Sequence, residues 1–279
     1  MKLAVHLHLY YLEQLPEILR YLQSLDGLDY DLFVTMVEEN KEVTAQIKDS
    51  QPKAQIILTP NYGYDVGPFI ALLHQIDLDK YAYVLKIHTK GNVSRNHTWI
   101  NGHRLDNRLW KQILFDALLK NKERVQEDLA LLESKPQIGM ISSKYCVSTE
   151  RWTYRDMLPQ INKVLTECGL SQTQKMSFVA GTMFYVRAKL LKPLLRYTIN
   201  DFAPSDGDIK EGTFAHVMER LMGALVQAQG YTVYGLRHDN YAKGFFMAAL
   251  KHFLFQKKKT NTGHTIIKLF RIPICHRKG

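Results

Sequence analysis

Short apolar runs alternate with amphipathic stretches along residues 1–240. The apolar runs have the length of buried β-strands, and the stretches between them repeat their apolar positions at helical spacing. This alternation predicts an α/β fold with a Rossmann-like, mostly parallel sheet, helices on both faces, and ligands bound beyond the carboxyl ends of the strands. The predicted strands lie at residues 2–10, 31–37, 54–58 and 81–88, and the predicted helices at 12–25, 40–49 and 67–76.

The second half of this region is less regular. We predict one domain at residues 1–240 and a separate basic, amphipathic C-terminal segment at 241–279. The further predicted elements are a long helix at 106–132, strands at 138–143 and 178–186, a helix at 212–228 and a last strand at 232–234.

Composition narrows the class of protein. A chain of 279 residues with 46% hydrophobic residues can bury a sizeable core, so a disordered protein is excluded. The formal net charge is +10, but residues 241–279 contain nine Lys and Arg and no Asp or Glu, which leaves +1 for the first 240 residues. The basic segment lacks a helix-turn-helix, zinc-finger or RNA-recognition pattern, so we expect no nucleic-acid partner.

The sequence also indicates where the protein works. No apolar run reaches the roughly 18–20 residues of a membrane-spanning helix, and the first residues lack the pattern of a signal peptide. Cys146, Cys168 and Cys275 lie far apart and form no CxxC pair, so we expect reduced thiols. These features predict a cytoplasmic protein.

Residues 61–69, Asn-Tyr-Gly-Tyr-Asp-Val-Gly-Pro-Phe, follow the third predicted strand. Their glycines permit close approach of a ligand to the backbone, and a helix that begins here offers free N–H groups. Asp65 could accept hydrogen bonds from a ribose or a base, whereas the alternative is that it only caps the helix. We predict that Asn61, Gly63 and Asp65 hold a nucleoside or a sugar.

Three potential cations follow the fourth predicted strand. Alternation along a strand places Lys86, His88 and Lys90 on one side, where they would suit a diphosphate. A solvated strand end is the alternative. Further along, an apolar strand is interrupted at Gly181 and Thr182, which indicates either a bulge or a ligand, such as a sugar ring, close to the backbone.

Carboxylates cluster around the last predicted helix. His216, Glu219 and Arg220 share one face of this helix, and Asp208 and Glu211 precede it. A carboxylate here could deprotonate a hydroxyl group, whereas the alternative is that these are ordinary charges at a helix surface.

The motifs form an ordered series. The chain carries, in order, HLHLYY, NYGYDVGPF, LKIHTKG, the region of Trp99 and Trp110, FVAGTMFYVR and EGTFAHVMERLMG. From residue 2 to residue 234 it resembles the rhamnan synthesis protein F family of bacterial surface-polysaccharide glycosyltransferases. The resemblance implies a GT-A-like fold and a nucleotide-sugar-dependent transferase of lipopolysaccharide O-antigen, capsule or rhamnose-polysaccharide assembly. Its donor would be dTDP-L-rhamnose or another nucleotide sugar, and its acceptor lipid-linked or an oligosaccharide.

One motif departs from the common GT-A pattern. Such enzymes usually carry an Asp-x-Asp metal motif after the fourth strand, where this chain has Lys-Ile-His-Thr-Lys at 86–90. Cations can neutralise a leaving diphosphate directly, so we predict transfer without a metal cofactor. Asp206 and Asp208 are the counter-candidates for binding Mg²⁺ or Mn²⁺.

The predicted mechanism is a single displacement with inversion at the anomeric carbon. A carboxylate would deprotonate the acceptor hydroxyl while the nucleoside diphosphate leaves. Glu211 is the first candidate for this base, Asp208 and Glu219 follow, and His216 lies beside them. A retaining transferase could present the same residues. The alternative function is a carbohydrate-binding or scaffold protein of the same pathway that has no catalytic activity.

The C-terminal segment has a pattern of its own. Phe246, Leu250, Phe253 and Leu254 recur at helical spacing, three lysines follow at 257–259, and a second apolar and basic run comes later. Such a segment would dock on the anionic inner face of the cytoplasmic membrane, near a lipid-linked acceptor. The alternative is that its apolar face packs on the body of the protein.

Overall fold

An α/β fold is formed by the residues that the computed structural model describes, namely 2–91, 98–105, 107–205, 212–259, 264–270 and 272–278. Its strands are β1 (Leu3–His8), β2 (Tyr30–Met36), β3 (Gln55–Leu58), β4 (Tyr83–His88), β5 (Thr98–Ile100), β6 (His103–Leu105), β7 (Ile138–Ser143), β8 (Val147–Ser148), β9 (Phe178–Val179), β10 (Phe184–Arg187), β11 (Thr232–Leu236), β12 (Phe255–Lys259), β13 (His264–Leu269) and β14 (Ile272–Lys278).

The main sheet has the strand order β11-β7-β10-β4-β1-β2-β3. Neighbouring strands are parallel except at β10, which is antiparallel to both β4 and β7. Strands β1 and β4 lie side by side near the middle of the sheet and are buried along their whole length, as their apolar composition requires. The predicted Rossmann-like, mostly parallel sheet is therefore confirmed.

Helices cover this sheet in two groups. Contacts link α1, α2, α4 and α5 into one layer, and link α3, α6 and α7 into the other. This arrangement confirms the prediction of helices on both faces. The helices are α1 (Leu15–Leu22), α2 (Lys41–Ser50), α3 (Val66–Leu73), α4 (Asn107–Leu119), α5 (Lys122–Ser134), α6 (Leu158–Glu167), α7 (Phe214–Ala228) and α8 (Ala242–Leu254).

The single long helix predicted at 106–132 is wrong, because the chain breaks at Asn121. Asn121 has extended backbone angles, and its side chain accepts a hydrogen bond of 2.9 Å from the Arg124 N–H. This is the geometry of an N-cap, which begins α5 as a separate helix. Helix α6 was not predicted.

The strand predicted at 178–186, with an interruption at Gly181, is in fact two separate strands. Strand β9 pairs with β8, outside the main sheet, and the chain then turns before it enters the sheet as β10. The turn contains Gly181, whose φ of 94° is easily adopted only by glycine. The interruption that the sequence indicates at Gly181 is thus a loop between two strands.

The C-terminal segment combines a helix with a small sheet. Helix α8 includes the predicted helical residues, and β12, β13 and β14 follow it as an antiparallel sheet. Helix α8 meets the body through Phe245, whose ring lies 4.9 Å from that of Tyr145. The division into domains at residue 240 stays a prediction.

Two observations bear on the expected location. Among the helices that the structure describes, none is long and apolar enough to cross a bilayer. Cys146 and Cys168 are free thiols, as expected. A cytoplasmic location stays a prediction.

Candidate active site

Most of the predicted site residues that the structure describes meet at the carboxyl ends of β1 and β4. Two loops close over this edge of the sheet: residues 61–65, which connect β3 to α3, and residues 180–183, which connect β9 to β10. Asp65 lies at the centre of the contacts between these loops and β4.

Asp65 and Lys86 form a buried ion pair. The Lys86 ammonium group donates to Asp65 Oδ2 and, at 3.1 Å, to the backbone carbonyl of Thr182. The Thr182 hydroxyl donates to the same carboxylate oxygen. Because the Lys86 side chain is 0% exposed, Lys86 would not contact a bound diphosphate. It would influence such a ligand only through Asp65 and Thr182.

The charge state of Asp65 follows from this arrangement. Burial alone would raise the pKa of Asp65. The attraction of any charge on His88 and of the charges on Lys86 and Lys90 is stronger, and it holds the pKa of Asp65 well below its usual range. Asp65 makes no hydrogen bond that caps α3, so the alternative that it only caps this helix is wrong. Asp65 is an ionised group of the site at neutral pH.

His88 lies beside the ion pair. Its Nε2 atom is 2.8 Å from the carbonyl oxygen of Gly181, 3.3 Å from the hydroxyl oxygen of Thr182 and 3.7 Å from Asp65 Oδ2. Burial lowers the pKa of His88 to about 3 against the attraction of Asp65, so the ring is neutral at pH 7. Its Nδ1 atom is 3.0 Å from the carbonyl oxygen of Thr89, so both ring nitrogens face carbonyl oxygens. We assign the single N–H to Nε2, whose contact with the Gly181 carbonyl is the shorter. Lys86 and His88 both approach Asp65 and so lie on one side of β4, while the binding of a diphosphate by Lys86, His88 and Lys90 stays a prediction.

Glu219 holds the other side of the same loop. Its Oε1 atom accepts a hydrogen bond of 2.9 Å from the Gly181 N–H, and its Oε2 atom accepts one of 2.8 Å from Arg220. Both carboxylate oxygens therefore already have donors. This arrangement fits a positioning role for Glu219 better than the predicted role as a base.

Backbone strain collects in these loops. Thr182 has a φ of 50° and Tyr64 a φ of 55°. These left-handed conformations cost a residue other than glycine about 1–3 kcal/mol each. The hydrogen bonds that Thr182 makes with Asp65 and Lys86 hold it in place. At Gly181 a Cβ atom would lie only 3.0 Å from the Trp110 ring, so packing as well as backbone conformation requires glycine there.

Ser205 and Phe202 fix the loop that carries Asp65. The Asn61 amide donates to the carbonyl of Ser205 at 3.0 Å, and the Tyr64 N–H donates to the Ser205 hydroxyl at 2.9 Å. At Gly63 the φ is 69°, and a Cβ atom would lie 2.5 Å from the Phe202 ring. Asn61 and Gly63 therefore position the loop, and their contact with a ligand stays a prediction.

A chain of two histidines and a threonine, which sequence reasoning missed, lies under the site. Nε2 of His6 is 2.9 Å from the Thr35 hydroxyl oxygen, and Nδ1 of His8 is 3.0 Å from it. Burial lowers the pKa of His8 to about 4 and the pKa of His6 well below its usual value, so both rings are neutral. The alternation of His6 and His8 with apolar residues in β1, opposite a threonine in β2, was the available signal.

The positions of the protons in this chain give His8 a defined role. Nδ1 of His6 is buried and has no partner among the described residues. Buried N–H groups without an acceptor are rarer than buried acceptors without a donor, so we assign the His6 proton to Nε2. Thr35 then donates to Nδ1 of His8, and Nε2 of His8 carries an N–H at the carboxyl end of β1. Within the described part of the chain, no group bonds to this N–H.

Lys90 supplies a cation at the rim of the site. Its ammonium group lies 4.0 Å from the centroid of the Trp110 ring, and Gln14 donates to its backbone carbonyl at 2.6 Å. Burial lowers the pKa of Lys90, against the attraction of Asp65 and Glu219. Lys90 is only half-buried, whereas the Lys86 side chain is 0% exposed, so Lys90 is the better placed of the two to contact a ligand.

The remaining predicted residues are His216 and three carboxylates. Nδ1 of His216 is 2.8 Å from the Thr213 hydroxyl oxygen, and its ring lies 5.8 Å from that of Tyr64, beside the loop that carries Asp65. Among the described residues, no group of three His, Cys, Asp or Glu side chains is placed to hold a metal ion. Three predicted residues lie outside the described residues: Asp206, Asp208 and Glu211.

Comparison with known proteins identifies the family of this chain. The model of the family described as Rhamnan synthesis protein F matches residues 1–231. The chain belongs to this family. The resemblance found in the sequence motifs is thereby confirmed.

Individual proteins and solved structures share 27% sequence identity or less with this chain in the following comparisons. The uncharacterized protein WxcX of Xanthomonas campestris pv. campestris (strain B100) is 27% identical over 235 residues, which cover 82% of this chain and 32% of WxcX. The chain thus spans about a third of the length of this curated relative.

Two solved structures illustrate the structural similarity. S. aureus TarS 1-349 in complex with UDP is 12% identical, with a TM-score of 0.44, over 85% of this chain and 59% of that chain. Glucosyl-3-phosphoglycerate synthase from Mycobacterium tuberculosis is 12% identical, with a TM-score of 0.37, over 99% of this chain and 89% of that chain.

Asp65 gives this member of the family a testable pH dependence. Its pKa is lowered in the folded protein, so its contribution to stability is present above the pKa of about 4 in the unfolded chain and is lost as the pH falls through and below that value. In the Asp65→Asn variant, the free energy of unfolding should therefore change less between about pH 5 and pH 3 than in the wild type. Urea unfolding at several pH values measures this difference.

Asp156→Asn is the matched control. Asp156 is 83% exposed, and the ion pair it makes among the described residues is with the exposed Arg155, so its variant should follow the pH dependence of the wild type. Parallel pH curves for Asp65→Asn and the wild type would contradict the assigned charge state of Asp65.

Proposed function

We propose that this protein is a glycosyltransferase that transfers a hexosyl group from a nucleoside diphosphate sugar. The observation that carries the proposal is the network of Asp65, Lys86 and Thr182 at the carboxyl ends of β1 and β4. Ligands of open α/β sheets bind at this edge. Membership in the rhamnan synthesis protein F family supports the same activity.

The donor would lie across the ends of β1 and β4. At the β1 end, the Nε2–H of His8 would donate to an acceptor oxygen of the nucleotide, with the exposed ring of Tyr10 next to it. At the β4 end, Lys90 would neutralise the diphosphate, while Asp65 would accept hydrogen bonds from sugar hydroxyls. The family name favours dTDP-L-rhamnose as the donor, which would make the protein a rhamnosyltransferase.

The proposed reaction is a single displacement. The acceptor hydroxyl oxygen forms a bond to the anomeric carbon as the bond from that carbon to the diphosphate breaks. A carboxylate takes the hydroxyl proton, and the nucleoside diphosphate leaves with the electron pair. Attack opposite the leaving group inverts the anomeric carbon. Glu211 remains the first candidate for the base and Asp208 the second.

The charges of the site favour departure of the diphosphate without a resident metal ion. The carboxylate of Asp65 is already matched by Lys86, so it has little excess charge to offer a cation. Lys90 supplies positive charge at the rim. Asp206 and Asp208 remain the counter-candidates for a divalent ion.

The acceptor is proposed to be a lipid-linked sugar or an oligosaccharide of lipopolysaccharide O-antigen, capsule or rhamnose-polysaccharide assembly. Such an acceptor would place the enzyme at the inner face of the cytoplasmic membrane.

Incubation with a panel of nucleotide sugars tests the proposal. We expect one donor, with dTDP-L-rhamnose as the first choice, to release its nucleoside diphosphate, and we expect release to continue in EDTA. Coupled detection of the released nucleoside diphosphate measures the reaction. Binding of a sugar without turnover of any donor would instead support the non-catalytic carbohydrate-binding alternative. A loss of activity in EDTA that Mn²⁺ restores would favour Asp206 and Asp208 as metal ligands.

Two carboxylates are expected to respond differently to loss of charge. Glu211→Gln removes the proposed base, so kcat should fall about a hundredfold or more. Glu219→Gln keeps an oxygen that can accept from the Gly181 N–H, so kcat should fall less than about tenfold. Steady-state kinetics with saturating donor measures both. The reverse order of effects would make Glu219 the base, and full activity in both variants would point to Asp208.

His8 and His6 form a second matched pair. Both lose a hydrogen bond to Thr35 when replaced by Phe, but only His8 carries an N–H at the edge of the sheet. His8→Phe should therefore weaken binding of the nucleoside diphosphate by about tenfold, or ~1.4 kcal/mol, beyond any effect of His6→Phe. Calorimetric titration measures both affinities. Equal losses in the two variants would contradict a direct contact at His8.

A further inference from the structure

Helix α8 contacts the body on one side and exposes large apolar side chains on another. One face meets the body: Phe245 packs on Tyr145, and the Tyr241 hydroxyl, one residue before the helix, donates to Asp116 at 3.0 Å. Tyr241 and Phe245 are four residues apart and so lie on one side of the helix. Phe246 and Phe253 lie about a quarter turn of the helix away from Phe245, on an exposed side that we call the outward face.

The outward face of α8 is apolar and exposed. Phe246 is 66% exposed, Met247 52% and Phe253 45%. Phe270, in the turn after β13, is 54% exposed, and its ring lies 6.4 Å from that of Phe253. We call these four residues the aromatic patch. Soluble proteins seldom expose neighbouring large apolar side chains in this way unless something covers them.

The segment that carries the aromatic patch is strongly cationic. Residues 241–279 contain nine Lys and Arg and no Asp or Glu. Six of these cations lie on the strands that follow α8: Lys257, Lys258, Lys259, Lys268, Arg277 and Lys278. Whatever covers the aromatic patch therefore meets a positive field without a compensating carboxylate in the segment.

We propose that the aromatic patch and the cationic segment 241–279 that carries it dock the protein on an anionic phospholipid bilayer. Exposed aromatic and thioether side chains enter the interfacial layer of a bilayer, and Lys and Arg attract its anionic headgroups. A second copy of the chain would bring two such cationic segments together, which their charge opposes. A nucleic acid would attract the cations but gives no reason for the exposed apolar face. The docking stands independently of the proposed transferase activity.

Co-sedimentation with vesicles tests the docking surface. The full chain should sediment with vesicles of phosphatidylcholine and phosphatidylglycerol and much less with phosphatidylcholine alone, and high salt should reduce binding. Replacing Phe246→Ser and Phe253→Ser together should lower the bound fraction at least about tenfold. Trp152→Ser, which removes an exposed aromatic ring (63%) from another part of the protein, is the control and should bind as the wild type does.

A second variant keeps the test decisive if the double serine variant does not fold. Lys257→Glu with Lys258→Glu changes only charge and should also lose binding to anionic vesicles. Equal binding to neutral and anionic vesicles, no binding to either, or unchanged binding in the variants would overturn the proposal. So would a wild-type dimer that the serine substitutions dissociate, or retention of DNA without retention of vesicles, since these outcomes assign the surface to another partner.

Discussion

The burial of Lys86 is the constraint on which the site depends. An ammonium group with no exposed surface is tolerated only where an opposite charge and hydrogen-bond acceptors surround it. Asp65 supplies the charge and Thr182 the carbonyl, and they come from two loops far apart in sequence. The need to satisfy one lysine in β4 therefore fixes both loops against the edge of the sheet. Removal of either charge would leave the other buried alone, at a cost of about 3–5 kcal/mol.

The contacts around this ion pair determine which polar groups can still bind a ligand. His88 and Glu219 hold the two sides of the Gly181 peptide, which leaves its loop little freedom. Such a network stores the strain at Thr182 and prepares the site before a ligand arrives. Two polar groups keep bonding capacity for a ligand, the Nε2–H of His8 and the ammonium group of Lys90, and they lie towards the ends of β1 and β4. These are the groups that we propose bind the two ends of a nucleoside diphosphate.

The parts of this account that depend on local periodicity could be predicted from the sequence. The parallel sheet and the position of the loop with Asp65 follow from the alternation of strand-like and helical segments. The shared side of Lys86 and His88 follows from the two-residue repeat of a strand. Pairings between distant segments could not be predicted, because no local pattern indicates that Asp65 neutralises Lys86 or that Glu219 binds the Gly181 peptide. The long helix failed for a different reason, since a single capping residue, Asn121, outweighs an apolar pattern that continues past it.

The most direct test of the central claim is a ¹⁵N NMR titration of the histidine rings with dTDP, UDP and GDP. We expect the Nε2 resonance of His8 to shift as its N–H gains an acceptor, and the resonances of His74 to stay unchanged. His74 is already bonded to the Tyr197 carbonyl at 2.7 Å and does not belong to the site. A His8 resonance that does not move at saturating nucleotide, or one that moves no more than that of His74, would contradict a nucleoside diphosphate site at the carboxyl ends of β1 and β4.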